Sequence, residues 1–162
     1  VVNDSAELKA RWEAAKAAER AADPQRATPS ELDDVPIGLP ALSRAGKIQR
    51  RAARVAFDFD GTPAAFDKLH SELRELEQAL AGADPAQVEH ELGDVLFAAI
   101  NVARHEGVDA EAALRRATRR FETRFRYVEA ALAAAGSSLT EAGPEALERL
   151  WEEAKRVETG GA

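Results

Sequence analysis

Five apolar side chains, Phe66, Leu69, Leu73, Leu76 and Leu80, recur at alternating three- and four-residue intervals. An α-helix, turning about 100° per residue, gathers such a series on one face, whereas a strand with period two scatters it. The spacing therefore predicts a long helix with one buried seam. Its ends are marked as well. Thr62-Pro63 reads as an N-cap followed by proline at the first helical position, and Gly82 as the stop. Asp84-Pro85-Ala86-Gln87 then supplies an N-cap, a first-turn proline and a capping-box glutamine, so a second long helix opens there. Val88, Leu92, Val95, Leu96, Ala99 and Ala103 are its predicted buried residues, and Gly107 ends it.

The same reading extends along the chain. A helix with Leu8, Trp12 and Ala15 on one face is predicted from about Ser5 to Ala22. Pro24, Pro29, Pro36, Gly38 and Pro40 then make an extended linker. Another helix, from about Ala41 to Phe57, carries Leu42, Ala45, Ile48, Ala52 and Val55 and is broken by Asp58-Phe59-Asp60-Gly61. Beyond Gly107, a helix beginning near Asp109 should bury Leu114, Ala117, Phe121, Phe125 and Val128. A Gly-Ser-Ser turn leads to a last helix opened by Gly143-Pro144, with Leu147, Leu150 and Trp151 inward. No segment reads as a strand, so the expected fold is an all-α helical bundle with an N-terminal helical arm. The expected domains are a helix and linker over 1–38, a bundle domain over 39–158 and a disordered tail over 159–162. With only 6% aromatic residues, the core must be aliphatic, built from closely approaching alanine faces.

Charge narrows the partners. A formal net charge of −7 argues against a nucleic-acid duplex, while a small phosphate ligand at a local site stays possible. Cysteine is absent, which removes disulfides and thiolate metal sites. No apolar run approaches the ~18 residues needed to cross a bilayer, and no signal-peptide pattern opens the chain. The expected location is cytoplasmic. Methionine is also absent and the chain opens at Val1, so a piece of a longer protein is expected.

The chemistry-bearing pattern is a pair of acid pairs. Glu72 and Glu75 stand three apart on one predicted helix, and Glu91 and Asp94 three apart on the next. Each pair flanks its helix's seam, a position that can face the groove between helices. Facing each other, the pairs would form a set of hard oxygen ligands suited to a divalent cation such as Mg²⁺. Without one, clustered carboxylates repel each other. The plainer alternative is four solvated acids at the rim. Arg120 and Arg124, four apart and flanking Phe121 and Phe125, suit phosphate oxygens, and Lys155 stands four from Trp151, whose ring can stack on a base. For each of these taken singly, a charged solvated face is the plainer reading. None of the histidines (His70, His90, His105) stands three residues after a Glu, so a di-iron carboxylate bundle is excluded.

These residues resemble the MazG nucleoside triphosphate pyrophosphohydrolases, within the all-α NTP pyrophosphatase group. The matching text is LPALSRAGKIQRRAARVAFDFD, KLHSELREL, ELGDVLFAAINVARHEGVDAEAALRRATRRFETRF and LWEEAK, in order across most of residues 39–156. The resemblance implies hydrolysis of NTPs and dNTPs to the monophosphate and pyrophosphate by a homodimeric helical bundle, with Mg²⁺ (or Mn²⁺). It further implies a nucleotide-clearing role. It implies that Glu72, Glu75, Glu91 and Asp94 are the metal ligands and catalytic acids. Lys68, Arg120, Arg124, Trp151 and Lys155 fall where the family contacts the nucleotide. The family usually has glutamate where Ser71 and His90 stand, and often lysine where Arg120 stands. Those departures bear on the hydrogen bonds behind the ligands and on substrate choice. Trp12-Glu13-Ala14-Ala15-Lys16 echoes Trp151-Glu152-Glu153-Ala154-Lys155. Tandem MazG proteins close their first domain with such a helix, so this chain is expected to be the C-terminal catalytic domain of a tandem protein. Rival expectations are a narrower relative, dUTPase-like or phosphoribosyl-ATP pyrophosphohydrolase-like, and a catalytically silent helical module.

Overall fold

A computed structural model describes residues 30–82 and 84–160. The helix expected over 5–22 and the linker as far as residue 29 lie outside these residues. Among the described residues there are five helices: α1 (Ala41–Ala53), α2 (Gly61–Gly82), α3 (Pro85–His105), α4 (Ala110–Ala134) and α5 (Pro144–Gly160). Among the described residues there is no strand, and the all-α expectation is met. The chain divides into two compact units, one ending at Val102 and the other running from Ala103. The boundary falls near the end of α3.

Local signals set most helix ends. Asp84 accepts a hydrogen bond from the Ala86 amide at 3.0 Å, and Asp109 one from the Ala112 amide at 2.8 Å, each stabilising a helix start. Gly107, at φ +67°, closes α3 as the Val108 amide reaches back to the Ala103 carbonyl at 2.8 Å. Gly136, at φ +70°, follows the end of α4 in the same manner. Three boundaries differ from expectation. α1 stops at Ala53 and not Phe57, because residues 54–56 turn and Ala56 takes a left-handed φ of 60°. α2 starts at Gly61, one residue ahead of the expected Thr62 cap. α5 runs to Gly160, into the segment expected as a tail.

In the first unit the inward faces are not the ones the leucine spacing predicts. Phe66, Leu73 and Leu80 of α2 are 47%, 39% and 60% exposed. Buried instead are Ala65, Glu72 and Ala79, a line seven residues apart displaced by about 100° around the helix. Leu69 and Leu76, between the two lines, are half-buried. On α3, Leu92, Leu96 and Phe97 are exposed, while Glu91, Ala98, Ile100 and Asn101 are buried. Small residues dominate this interior. Gly46 of α1 is buried, and a Cβ there would stand 3.6 Å from the Ile100 side chain. Gln49 of α1, also buried, donates from Nε2 to the Phe97 carbonyl at 2.8 Å and ties α1 to α3.

The second unit packs conventionally. Val128 and Leu132 of α4 and Leu150 of α5 form a buried cluster, with Ala131, Leu139, Ala142, Leu147 and Trp151 against it. Val128 is buried as expected, but Leu114 and Phe121 are more than half exposed.

Candidate functional site

The displaced inward line carries the acids. Glu72 is centred on α2 between the buried alanines, and Glu91 opens the buried line of α3 with Asp94 one turn on. One carboxylate oxygen from each of Glu72, Glu91 and Asp94 lies within 4.8 Å of the others. That spacing is close to twice a metal–oxygen distance of about 2.1–2.4 Å. Glu72 and Glu91 are more than nine-tenths buried, so their charges cannot be left to bulk water. An all-oxygen anionic set of this kind fits a hard divalent cation. Glu72 and Glu91 therefore sit on the inward line itself and not beside it, a correction to the flanking position expected from the seam, while Asp94 is half-buried at its edge.

Glu75 stands apart from this trio. It is exposed, and Ser71 donates to its Oε1 at 2.9 Å from one turn earlier. Glu75 nevertheless lines a cleft of about 370 Å³ together with Asp84, Gln87 and Glu91. Gln87 was expected to close a capping box. Its Nε2 instead donates to Glu91 Oε1 one turn on, holding that carboxylate from behind. His90 lies 3.5 Å from Asp94 Oδ2, also one turn on. Ser71 and His90, where the resemblance leads one to expect glutamate, thus each contact the second acid of their pair. That was legible as i,i+4 spacing, though not as a hydrogen bond.

Lys68 completes the group. Its ammonium pairs with Glu72. The hydrogen bond to Glu72 raises the Lys68 pKa above its ordinary 10.5, partial desolvation opposes it, and attraction to Glu72, Glu75 and Asp94 adds to the rise. Lys68 is thereby a permanent positive charge in the field of three of the four acids.

The remaining expected nucleotide contacts belong to the second unit. Arg124 donates to Glu158 of α5. Lys155 pairs with Glu152. Trp151 packs on Phe121 with ring centroids 5.2 Å apart, and Phe121 stacks on Phe125 at 5.9 Å. Arg120 is exposed one turn from Arg124. Glu158 and Phe121 were not singled out as site residues by spacing, because partners on different helices leave no periodic trace.

Residues 63–128 match the family model described as MazG nucleotide pyrophosphohydrolase domain. An Escherichia coli K12 protein named nucleoside triphosphate pyrophosphohydrolase is 46% identical over 157 residues, covering 96% of this chain and 59% of that protein. A Thermotoga maritima protein named nucleoside triphosphate pyrophosphohydrolase/pyrophosphatase MazG is 38% identical over 144 residues, 89% of this chain and 54% of its own length. An uncharacterized Bacillus subtilis protein is 36% identical over 158 residues, 97% of this chain and 32% of its own length. The chain spans little more than half the length of the first two. The match begins in the first turn of α2, runs through all the clustered acids and ends within α4, so the chain contains a MazG domain over residues 63–128.

Proposed function

We propose that this chain hydrolyses nucleoside triphosphates at the α–β linkage, yielding a nucleoside monophosphate and pyrophosphate with Mg²⁺ as cofactor. The observation that supports the reading is the convergence of Glu72, Glu91 and Asp94 from two helices. When bound there, Mg²⁺ or Mn²⁺ supplies Lewis acidity toward the phosphoryl oxygens and toward water. Glu72, Glu91 and Asp94 would hold the cation, and Gln87 steadies Glu91. Glu75, which lies outside the trio and lines the cleft, accepts the proton of the attacking water in this reading. The anhydride bond breaks and its bridging oxygen departs with pyrophosphate. Lys68 neutralises phosphate charge beside the acids. In the second unit, taken by itself, Arg120, Arg124 and Lys155 are cations suited to phosphate, and Trp151 with Phe121 is a ring surface suited to a base.

The exposed leucine line supports a further part of the reading. Leu73, Leu80, Leu92 and Leu96 are all exposed in the single chain, an apolar surface of a kind that marks an association face. A homodimer covers it, and light scattering measures the mass directly. A monomer at micromolar concentration would exclude that part. Among the described residues no helix is long and apolar enough to cross a membrane.

The test of the activity is a panel of NTPs and dNTPs with Mg²⁺, reading pyrophosphate and monophosphate. Inorganic phosphate with a diphosphate product, or no turnover together with no stoichiometric Mg²⁺ binding, would refute it. Depletion of a single base or sugar defines the narrower, dUTPase-like alternative.

A further inference from the structure

We infer that Glu158 is a positioning residue for Arg124, turning the guanidinium so that its free edge meets the triphosphate. The inference rests on the triphosphate reading above and deepens it. Arg124 Nε and Nη2 both donate to one oxygen, Oε2 of Glu158, at 2.7 and 2.6 Å. The pair joins α4 to α5, and its side chains are only 23% and 31% exposed, so it is not a flexible surface pairing along one helix.

The geometry distinguishes positioning from competition. A carboxylate that mimicked the ligand would take the fork with both oxygens, as phosphate and carboxylate ligands do. Here one oxygen takes the Nε/Nη2 edge. Arginine has five N–H donors on a rigid plane, so fixing one edge fixes the direction of the Nη1/Nη2 edge. Arg120, one turn earlier and exposed, extends the positive stripe to a length that suits a polyphosphate. A pre-aimed guanidinium loses less freedom when the anion arrives.

Magnesium tripolyphosphate is the probe, titrated calorimetrically into the unmodified chain, Glu158→Ala, Glu158→Gln and Arg124→Lys. Glu158→Ala should weaken binding about tenfold, the cost of a misaimed contact. Glu158→Gln keeps an acceptor oxygen and should stay within about threefold of the parent. Arg124→Lys should resemble Glu158→Ala, because an ammonium has no second edge to aim. With a nucleoside triphosphate, Glu158→Ala should raise KM and leave kcat within about twofold, the signature of lost uniform binding. Tighter binding by Glu158→Ala would mean that Glu158 competes with the ligand. Tighter binding, equal binding, or no binding by the parent each overturns the inference. If Glu158→Ala unfolds, Glu158→Asp against Glu158→Gln decides, since the shorter acid withdraws the acceptor and the amide does not. A parent chain that binds tripolyphosphate in this order yet cleaves no nucleotide would refute the activity and not the positioning.

Discussion

The two units of the chain invert each other's use of side chains. In the first, carboxylates and alanines face inward and leucines face out. In the second, Val128, Leu132 and Leu150 form the interior, and Arg115, Arg116, Arg119 and Arg120 face out. Both arrangements arise from amphipathic helices of similar composition. The difference teaches that a regular apolar stripe says which residues are sticky, but not what covers them. A unit whose inward face is given to chemistry must bury its apolar face elsewhere.

The contrast is broken most severely by removing an inward acid. Glu72→Ala or Asp94→Ala should cut kcat/KM by at least about a thousandfold, with helicity by circular dichroism retained. Turnover near the parent value in either variant would show that the trio is not the chemical centre. Next in size is the interior of the second unit. Leu132→Ala should cost about 2–5 kcal/mol in a denaturant titration. Leu80→Ala, at an exposed site, should cost far less at low protein concentration and should act chiefly on the measured mass. Equal losses at both sites would erase the distinction. Removing the Asp109 cap by Asp109→Ala should cost about 1 kcal/mol. Ala56→Gly should stabilise by about 0.5–1 kcal/mol, because Ala56 sits at a left-handed φ of 60° that penalises a Cβ. An unchanged denaturation midpoint would show that the turn relaxes without penalty.

The smallest expected effect is a flat line. Lys68 has a folded pKa raised above its ordinary 10.5, so the stability its pairing adds is complete below the unfolded value. It is lost only as pH rises through the raised value. The difference in melting between the parent and Lys68→Met should therefore not vary from pH 6 to pH 9. A slope across that window would place the titration on another group.

Much of the framework was legible because caps and stops act locally. Asp84-Pro85, Gly107, Asp109 and Gly143-Pro144 each meet the chain where expected, since every one acts on a neighbouring amide or on its own φ. The candidate acids were legible from their repeated three-residue spacing. The inward direction was not, because Ala65–Glu72–Ala79 is a weaker apolar signal than Phe66–Leu73–Leu80 and yet is the buried line. Glu75's separation from the trio depends on one rotamer and on Ser71. The Arg124–Glu158 pair depends on how two helices cross.

The trio belongs to two consecutive helices, with Gly82 ending one and Pro85 opening the next. Contacts so near along the chain carry a low loop-closure penalty and form early during folding. The acid trio can therefore come together before residues 110–160 have found their places.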